Sequence, residues 1–193
     1  MNSKRKAVKE HASWEHTTRE WATDTARSLA LDLYHGRPTT ARPYGVGVVL
    51  DPGETVWSEV PVRFNQDWPA PEPGRSQPMP AIRPWLVTSG RVVGRLADGQ
   101  LYGYRWEKMV GLRVDLSAGR ETLAADIEGE RPLLWSGPGL APMAVAAVFH
   151  LYGPAALIDH PGLAALRAGA DWRTDSGPQF LGQAHLPPRS RAV

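Results

Sequence analysis

Between Trp85 and Ser136 a turn signal recurs every seven to twelve residues. Ser89-Gly90, Ala97-Asp98-Gly99, Glu107-Lys108, Ser117-Ala118-Gly119 and Glu128-Gly129-Glu130 punctuate the segment. The runs between them are Trp85–Thr88, Arg91–Leu96, Gln100–Trp106, Val110–Leu116, Glu121–Ile127 and Arg131–Ser136. None of these connections has room for a crossover helix, so the strands must be antiparallel neighbours. Asp98-Gly99 is a strong hairpin signal. Alternation is cleanest at Val110, Leu112, Val114 and Leu116, which are assigned to the inward face. A meander like this hides its edges by closing into a barrel.

One more strand precedes the meander. Val56, Ser58, Val60, Val62 and Phe64 are assigned inward, alternating with Trp57, Glu59, Pro61 and Arg63. Pro61 limits this strand to an edge or a bulge. Segment 65–84 carries Pro69, Pro71, Pro73, Pro78, Pro80 and Pro84 and reads as a long Pro-rich loop. After Gly137-Pro138-Gly139 the period becomes helical, with Pro142 suited to a first turn and Gly153-Pro154 as a stop. Val145, Val148, Phe149 and Tyr152 are its inward candidates.

The N-terminal region divides in two. Residues 1–12 read as a basic tail containing Lys4, Arg5, Lys6 and Lys9. Residues 13–36 read as an amphipathic helix with Ser13 as N-cap. Trp14, Thr18, Trp21, Thr25, Leu29 and Leu33 share one face, and Gly36 with Pro38 ends it. Segment 37–44 is a linker by composition. Residues 154–193 read as short helical pieces followed by a flexible tail.

Composition narrows the function classes. The chain has 193 residues, 42% hydrophobic and 22% charged, enough for one domain with a core plus arms. Gly 19 and Pro 18 argue against a helical bundle. Without cysteine there are no disulfides, zinc ribbons, iron–sulfur sites or thiol nucleophiles. No run is long and apolar enough to span a bilayer, and the basic start lacks an apolar h-region, so a cytoplasmic location is expected. The net charge is +2, and the body carries a single lysine, Lys108. Bulk electrostatics therefore do not mark a nucleic-acid or membrane binder.

Several short motifs now point to a family. Leu50-Asp51-Pro52-Gly53-Glu54 before a strand resembles the opening of GRAM-type and bacterial pleckstrin-homology-like domains. Trp85–Val93 resembles their second hairpin, with Ser89-Gly90 at its turn. Tyr104-Arg105-Trp106 followed by Val110-Gly111-Leu112 is similar to the strand and bend that come next. The resemblance covers residues 45–153. It implies an α+β, mainly β fold: a seven-stranded antiparallel pleckstrin-homology-like barrel capped by a C-terminal helix. The N-terminal amphipathic helix is extra to it. The residues themselves leave Glu54 and Arg91 either paired across the sheet or solvated, with solvation preferred, and assign Gly111 to a bulge or bend.

Catalytic constellations are missing. Gly137-Pro138-Gly139 opens a helix, but its prolines remove donors that a phosphate site needs. His11 with Glu15 offers two metal ligands and no third. No serine sits in a nucleophile elbow, and Asp159-His160 is adjacent in sequence, so the side chains diverge. His150 is read as a packed or capping histidine. No enzyme activity, cofactor or metal is expected.

What remains is binding. Loop residues Asp67, Glu72, Arg75 and Arg83 balance one another and make a poor polyphosphate cradle. Trp68 begins a Pro-rich stretch suited to polyproline-II docking. Trp57 and Trp106 sit on strand faces that are either outer, and then an interface, or covered by the N-terminal helix, the preferred reading. The expected function is a non-catalytic scaffolding module acting through protein–protein interaction. Its candidate partner-binding residues are Trp14, Trp21, Trp57, Trp68, Arg75 and Trp106. The alternatives are association with an anionic membrane through the barrel and Lys4, Arg5, Lys6 and Lys9, and, more weakly, nucleic-acid binding through the same tail.

Overall fold

From Asn2 to Tyr34 the sequence contains neither glycine nor proline. In the computed structural model this whole stretch is one helix, α1 (Asn2–Tyr34). The structure describes residues 2–37, 39, 45, 47–65, 80–96 and 98–168, with the side chains of 2–4 excepted. Most of the linker and of the Pro-rich loop, with Trp68 and Arg75, and all of the chain after Ala168 lie outside the described residues, as does the Lys4 side chain.

The expected N-cap at Ser13 is not one. Its carbonyl accepts a hydrogen bond from Thr17 Oγ1 in mid-helix, at 3.0 Å. The reading of 1–12 as a tail is thus replaced by two or three further turns of helix. Apolar periodicity cannot register such a segment. Good helix formers such as Lys, Arg, Ala and Glu build it, helped by (i, i+4) pairs Lys6–Glu10 at 3.8 Å and His11–Glu15 at 3.3 Å. Gly36, at φ +62°, ends α1 as expected.

The strands are β1 (Val56–Asn65), β2 (Arg83–Thr88), β3 (Arg91–Arg95), β4 (Leu101–Arg105), β5 (Met109–Asp115), β6 (Thr122–Ile127) and β7 (Leu133–Ser136). They are antiparallel throughout, in the order β4-β3-β2-β1-β7-β6-β5. The α+β, mainly β class holds, but the sheet does not close: β4 and β5 are its two ends. A 3₁₀ turn, Trp106–Lys108, joins them. Helix α2 (Ala141–Tyr152) packs on that turn and on β5, β1 and β2. A helix, rather than a β4–β5 ladder, covers the interior at this corner.

β1 is shared by both halves of the sheet. Val56–Val62 pair with β2, and Arg63–Asn65 pair with β7. Pro61 therefore stands in a central strand, contrary to the edge or bulge expected. It faces Pro84 of β2. Two facing prolines fit a non-hydrogen-bonded pair, whose missing N–H groups would point away from each other. On the other flank the β7 pairing has not yet begun.

Two bulges reset the inward faces. In β1 the register shifts between Val56 and Ser58, so Trp57 is the extra residue. Trp57 and Ser58 both turn inward, while Val56 joins a small outer cluster with Val48, Leu86 and Val93. In β5 the shift lies between Met109 and Gly111, the bend expected at Gly111. Met109 takes the inward place, and Val110, assigned inward by alternation, is 64% exposed.

β5 has its free edge covered. The 3₁₀ turn Pro161–Leu163 lies between α3 (Ala156–Asp159) and α4 (Ala164–Arg167) and presses Gly162 against the strand. A Cβ on Gly162 would stand 2.7 Å from the Val114 carbonyl oxygen. Such covering blocks edge-to-edge pairing.

The core lies between the sheet and two helices. Every residue of α2 from Ala141 to Val148 is buried. One side meets the sheet, and the second half of α1 covers the other, through Ala22, Ala26, Leu29, Ala30 and Leu33. Alanines on both helices let the two backbones approach closely. Of the inward candidates on α2, Val145 and Val148 are fully buried, but Tyr152 is 49% exposed.

An aromatic group fills the far end of the interior: Phe64, Trp85, Tyr104 and Trp135, with Trp85 and Trp135 edge-to-face at 5.8 Å. Trp85 lies flat across Gly94 of β3, where a Cβ would come within 2.3 Å of the indole. Gly94→Ala is expected to lower stability by about 1–3 kcal/mol through overpacking, read as a lower thermal midpoint, while Gly103→Ala on β4, whose Cβ would come no closer than 3.4 Å to Val93, is expected to cost less.

Candidate functional site

The bulge that turns Trp57 inward brings it to the last full turn of α2. There the His150 ring lies nearly parallel to the Trp57 indole, at 5.4 Å and 14°. The same imidazole is parallel to Trp106 at 5.4 Å and 8°. Trp106 is held by its 3₁₀ turn and by its Nε1 donating to the Thr88 carbonyl at 2.9 Å. Phe149 meets Trp57 edge-on at 6.3 Å. Both indoles are thus buried, with α2 against them, and neither forms an exposed interface.

His150 is exposed as a residue, yet its ring is packed among these aromatics. That loss of water drops its pKa from 6.5 to about 4, so the imidazole is neutral. Among the described residues no carboxylate pairs with it. Its described contacts are with the two indoles and with Phe149.

Beside this cluster is a charged knot. Asp51-Pro52-Gly53 forms a tight turn, with Gly53 at φ +80°. Glu54 folds back to accept from the Asp51 N–H at 2.7 Å. Arg91 clamps both oxygens of Glu54, Nε to Oε1 and Nη2 to Oε2, each at 3.0 Å. Thr88 Oγ1 donates to Oε1 at 2.5 Å. Arg91 Nη2 also reaches the Val49 carbonyl at 2.8 Å, and Arg105 pairs with Asp51 at 2.7 Å.

The Glu54 side chain is 3% exposed, so its expected place in solvent is corrected: Glu54 and Arg91 pair across the loop and the β2–β3 hairpin. Burial alone would raise the Glu54 pKa. Hydrogen bonds from Arg91, Thr88 and Asp51 outweigh it and hold the carboxyl below its ordinary 4.5. A carboxylate with all its acceptors filled anchors the turn and has no proton to offer chemistry.

A second anchor went unseen in the sequence. Arg19 of α1 donates to Glu121, just before β6, and the Glu121 side chain is 7% exposed. The partners are 102 positions apart, so no spacing rule could have joined them. It ties α1 to the sheet where α2 begins.

His160 lines a groove of about 480 Å³ between β5 and the Pro161–Ala165 segment, together with Asp115 and Ser117. These three do not form a relay. His160 Nδ1 accepts from the Gly162 N–H at 3.2 Å, and its ring stacks on Tyr152 at 5.5 Å. The Asp115 carboxylate instead accepts from the Ser117 N–H at 2.8 Å.

The remaining candidates gather on α1. Arg5 through Ser13 are all exposed, Trp14 and Trp21 are half-buried, and His11 stacks on Trp14 at 6.0 Å. From Thr18 onward the buried stripe of α1 engages the body, so the first turns carry Arg5, Lys6 and Lys9 outward on a helical rod. No helix of the described residues is long and apolar enough to cross a membrane.

No family model matches the chain, and no curated protein matches it. Among solved structures the chain is similar to the Vps36 N-terminal PH domain, at 12% identity over 57% of this chain and 91% of that chain, with a TM-score of 0.39.

Two pH-linked outcomes follow from the site. Removing the clamp with Arg91→Ala strands a buried carboxylate and is expected to cost about 3 kcal/mol near neutral pH in chemical denaturation. Because the folded Glu54 pKa is depressed, the unfolded chain binds the proton first. The pair's contribution is complete above pH 4.5 and is lost as pH falls through the folded value, so the gap between wild type and variant narrows in acid. For His150 the unfolded chain again protonates first, so this residue removes stability as pH falls from 6.5 to about 4. An NMR titration is expected to place the His150 midpoint near 4, and His150→Phe to abolish that part of the pH slope.

Proposed function

We propose that this chain is a non-catalytic binding module of the pleckstrin-homology-like kind that engages a protein partner through the outward half of α1. The first part of the reading is supported by the arrangement of elements: seven antiparallel strands, a long connection from β1 to β2 and an apolar helix packed on the open sheet. The observation that carries the second part is the outward half of α1 itself. Residues 5–13 are exposed while belonging to a helix whose remainder is bolted into the core. Helix-in-groove or helix-on-helix recognition uses elements of this kind. Trp14, half-buried at the base of the rod, is its aromatic anchor.

A second reading, contact with an anionic membrane, draws support from Arg5, Lys6 and Lys9, each exposed. Polybasic segments gain roughly 1 kcal/mol per cation near an acidic bilayer. The rod, however, offers only Ala7, Val8 and Ala12 as apolar residues, little for burial in a headgroup layer.

The test compares the full chain with one lacking residues 1–12. Truncation must stop short of Thr18, which is fully buried. Affinity capture from the native cell is expected to retain a protein with the full chain and lose it with the truncated one, while phosphatidylserine vesicles bind neither. Vesicle binding that depends on residues 1–12 and falls with salt would move the assignment to the membrane. Capture of the same proteins by both chains would overturn it.

A further inference from the structure

The face of α1 that turns away from the body has an ordered charge pattern. Arg5, Lys9, Ser13, His16, Glu20 and Asp24 follow one another at spacings of four, four, three, four and four. At 3.6 residues per turn they share an arc of roughly 100°. This arc lies opposite the buried stripe of Thr18, Ala22, Thr25 and Leu29. All six residues are exposed. The ridge reads two cations, then Ser13 and His16, then two anions.

Such a ridge is complementary to itself in one orientation. With a two-fold axis between Ser13 and His16, antiparallel helices place Arg5 opposite Asp24 and Lys9 opposite Glu20. Each pair occurs twice by symmetry. A parallel pairing sets like charges against each other along the whole ridge and is disfavoured. We infer that the outer face of α1 pairs antiparallel, in this register, with the same face of a second copy of this chain. This rests on the reading of α1 as the binding element and names its partner.

The surroundings fit. Arg5 and Lys9 make no ion pair among the described residues, whereas Lys6 is committed to Glu10. Glu20 and Asp24 have one weak partner each, the exposed His16 at 3.4 Å and the half-buried Arg27 at 3.7 Å, and Arg27 also donates to the Leu166 carbonyl. The body lies on the opposite face of α1, so two bodies would point outward without colliding. An anionic membrane fits the ridge less well, because Glu20 and Asp24 on the same face would be repelled by it. With few apolar side chains to bury, the association is weak and sensitive to salt.

Analytical ultracentrifugation of the full chain over a range of concentrations tests this. Wild type is expected to dimerise reversibly at low ionic strength and to dissociate at high ionic strength. The double variant Arg5→Glu with Lys9→Glu, and separately Glu20→Lys with Asp24→Lys, should each weaken dimerisation by about tenfold or more. Mixing the two variants restores every opposite-charge pair and should recover dimers near the wild-type affinity. All four positions are exposed, and unchanged thermal midpoints confirm that the fold is intact. A wild-type chain that stays monomeric at low salt overturns the inference, as does a mixture no better than either variant alone. Neither result touches the assignment of α1 as a binding element, which is read from the truncated chain and its captured partners.

Discussion

Helix α2 presents no polar face, and water must be kept from all sides of it. Ala141 to Val148 are buried without exception. A sheet can cover one side of a helix only, so α1 supplies the rest. Each fully buried side chain such as Leu29 adds about 1.5–3 kcal/mol relative to exposure. The second half of α1 is therefore core material, and the N-terminal helix is not an appendage to a self-sufficient barrel. The same requirement lets the sheet remain open, since the helix does the covering that a β4–β5 ladder would have done.

Aromatic residues decide what the surface is left to do. Once bulges turn Trp57 inward and a 3₁₀ turn buries Trp106, the indoles suspected of forming an interface stack on His150 instead. Trp85 and Trp135 fill the other end of the interior. Much of the chain's large apolar surface is spent inside, and the exposed element with the most distinctive character is the charged ridge of α1.

Charges act here in two regimes. Glu54 and Glu121 are nearly inaccessible to water and are held by arginines from distant parts of the chain. Breaking either pair would leave a carboxylate without solvent, so these pairs lock loop to hairpin and α1 to sheet. The ion pairs along α1 are exposed and contribute little individually.

Turn chemistry and alternation are local, so the antiparallel meander, the approximate strand limits and the helix after Gly139 are legible in the residues alone. So are the bulge at Gly111 and the stop at Gly36. Long-range packing set the remainder. Alternation runs out of step wherever a bulge inserts a residue, so it assigns Val56, Trp57 and Val110 to the wrong faces. Helix 2–12 escaped because its signal is polar propensity and ion pairing, not apolar period. Glu54 with Arg91, Arg19 with Glu121 and the stacking of His150 join residues far apart in the chain. Such contacts exist only when folding brings their strands and helices together, and no local pattern encodes that distance.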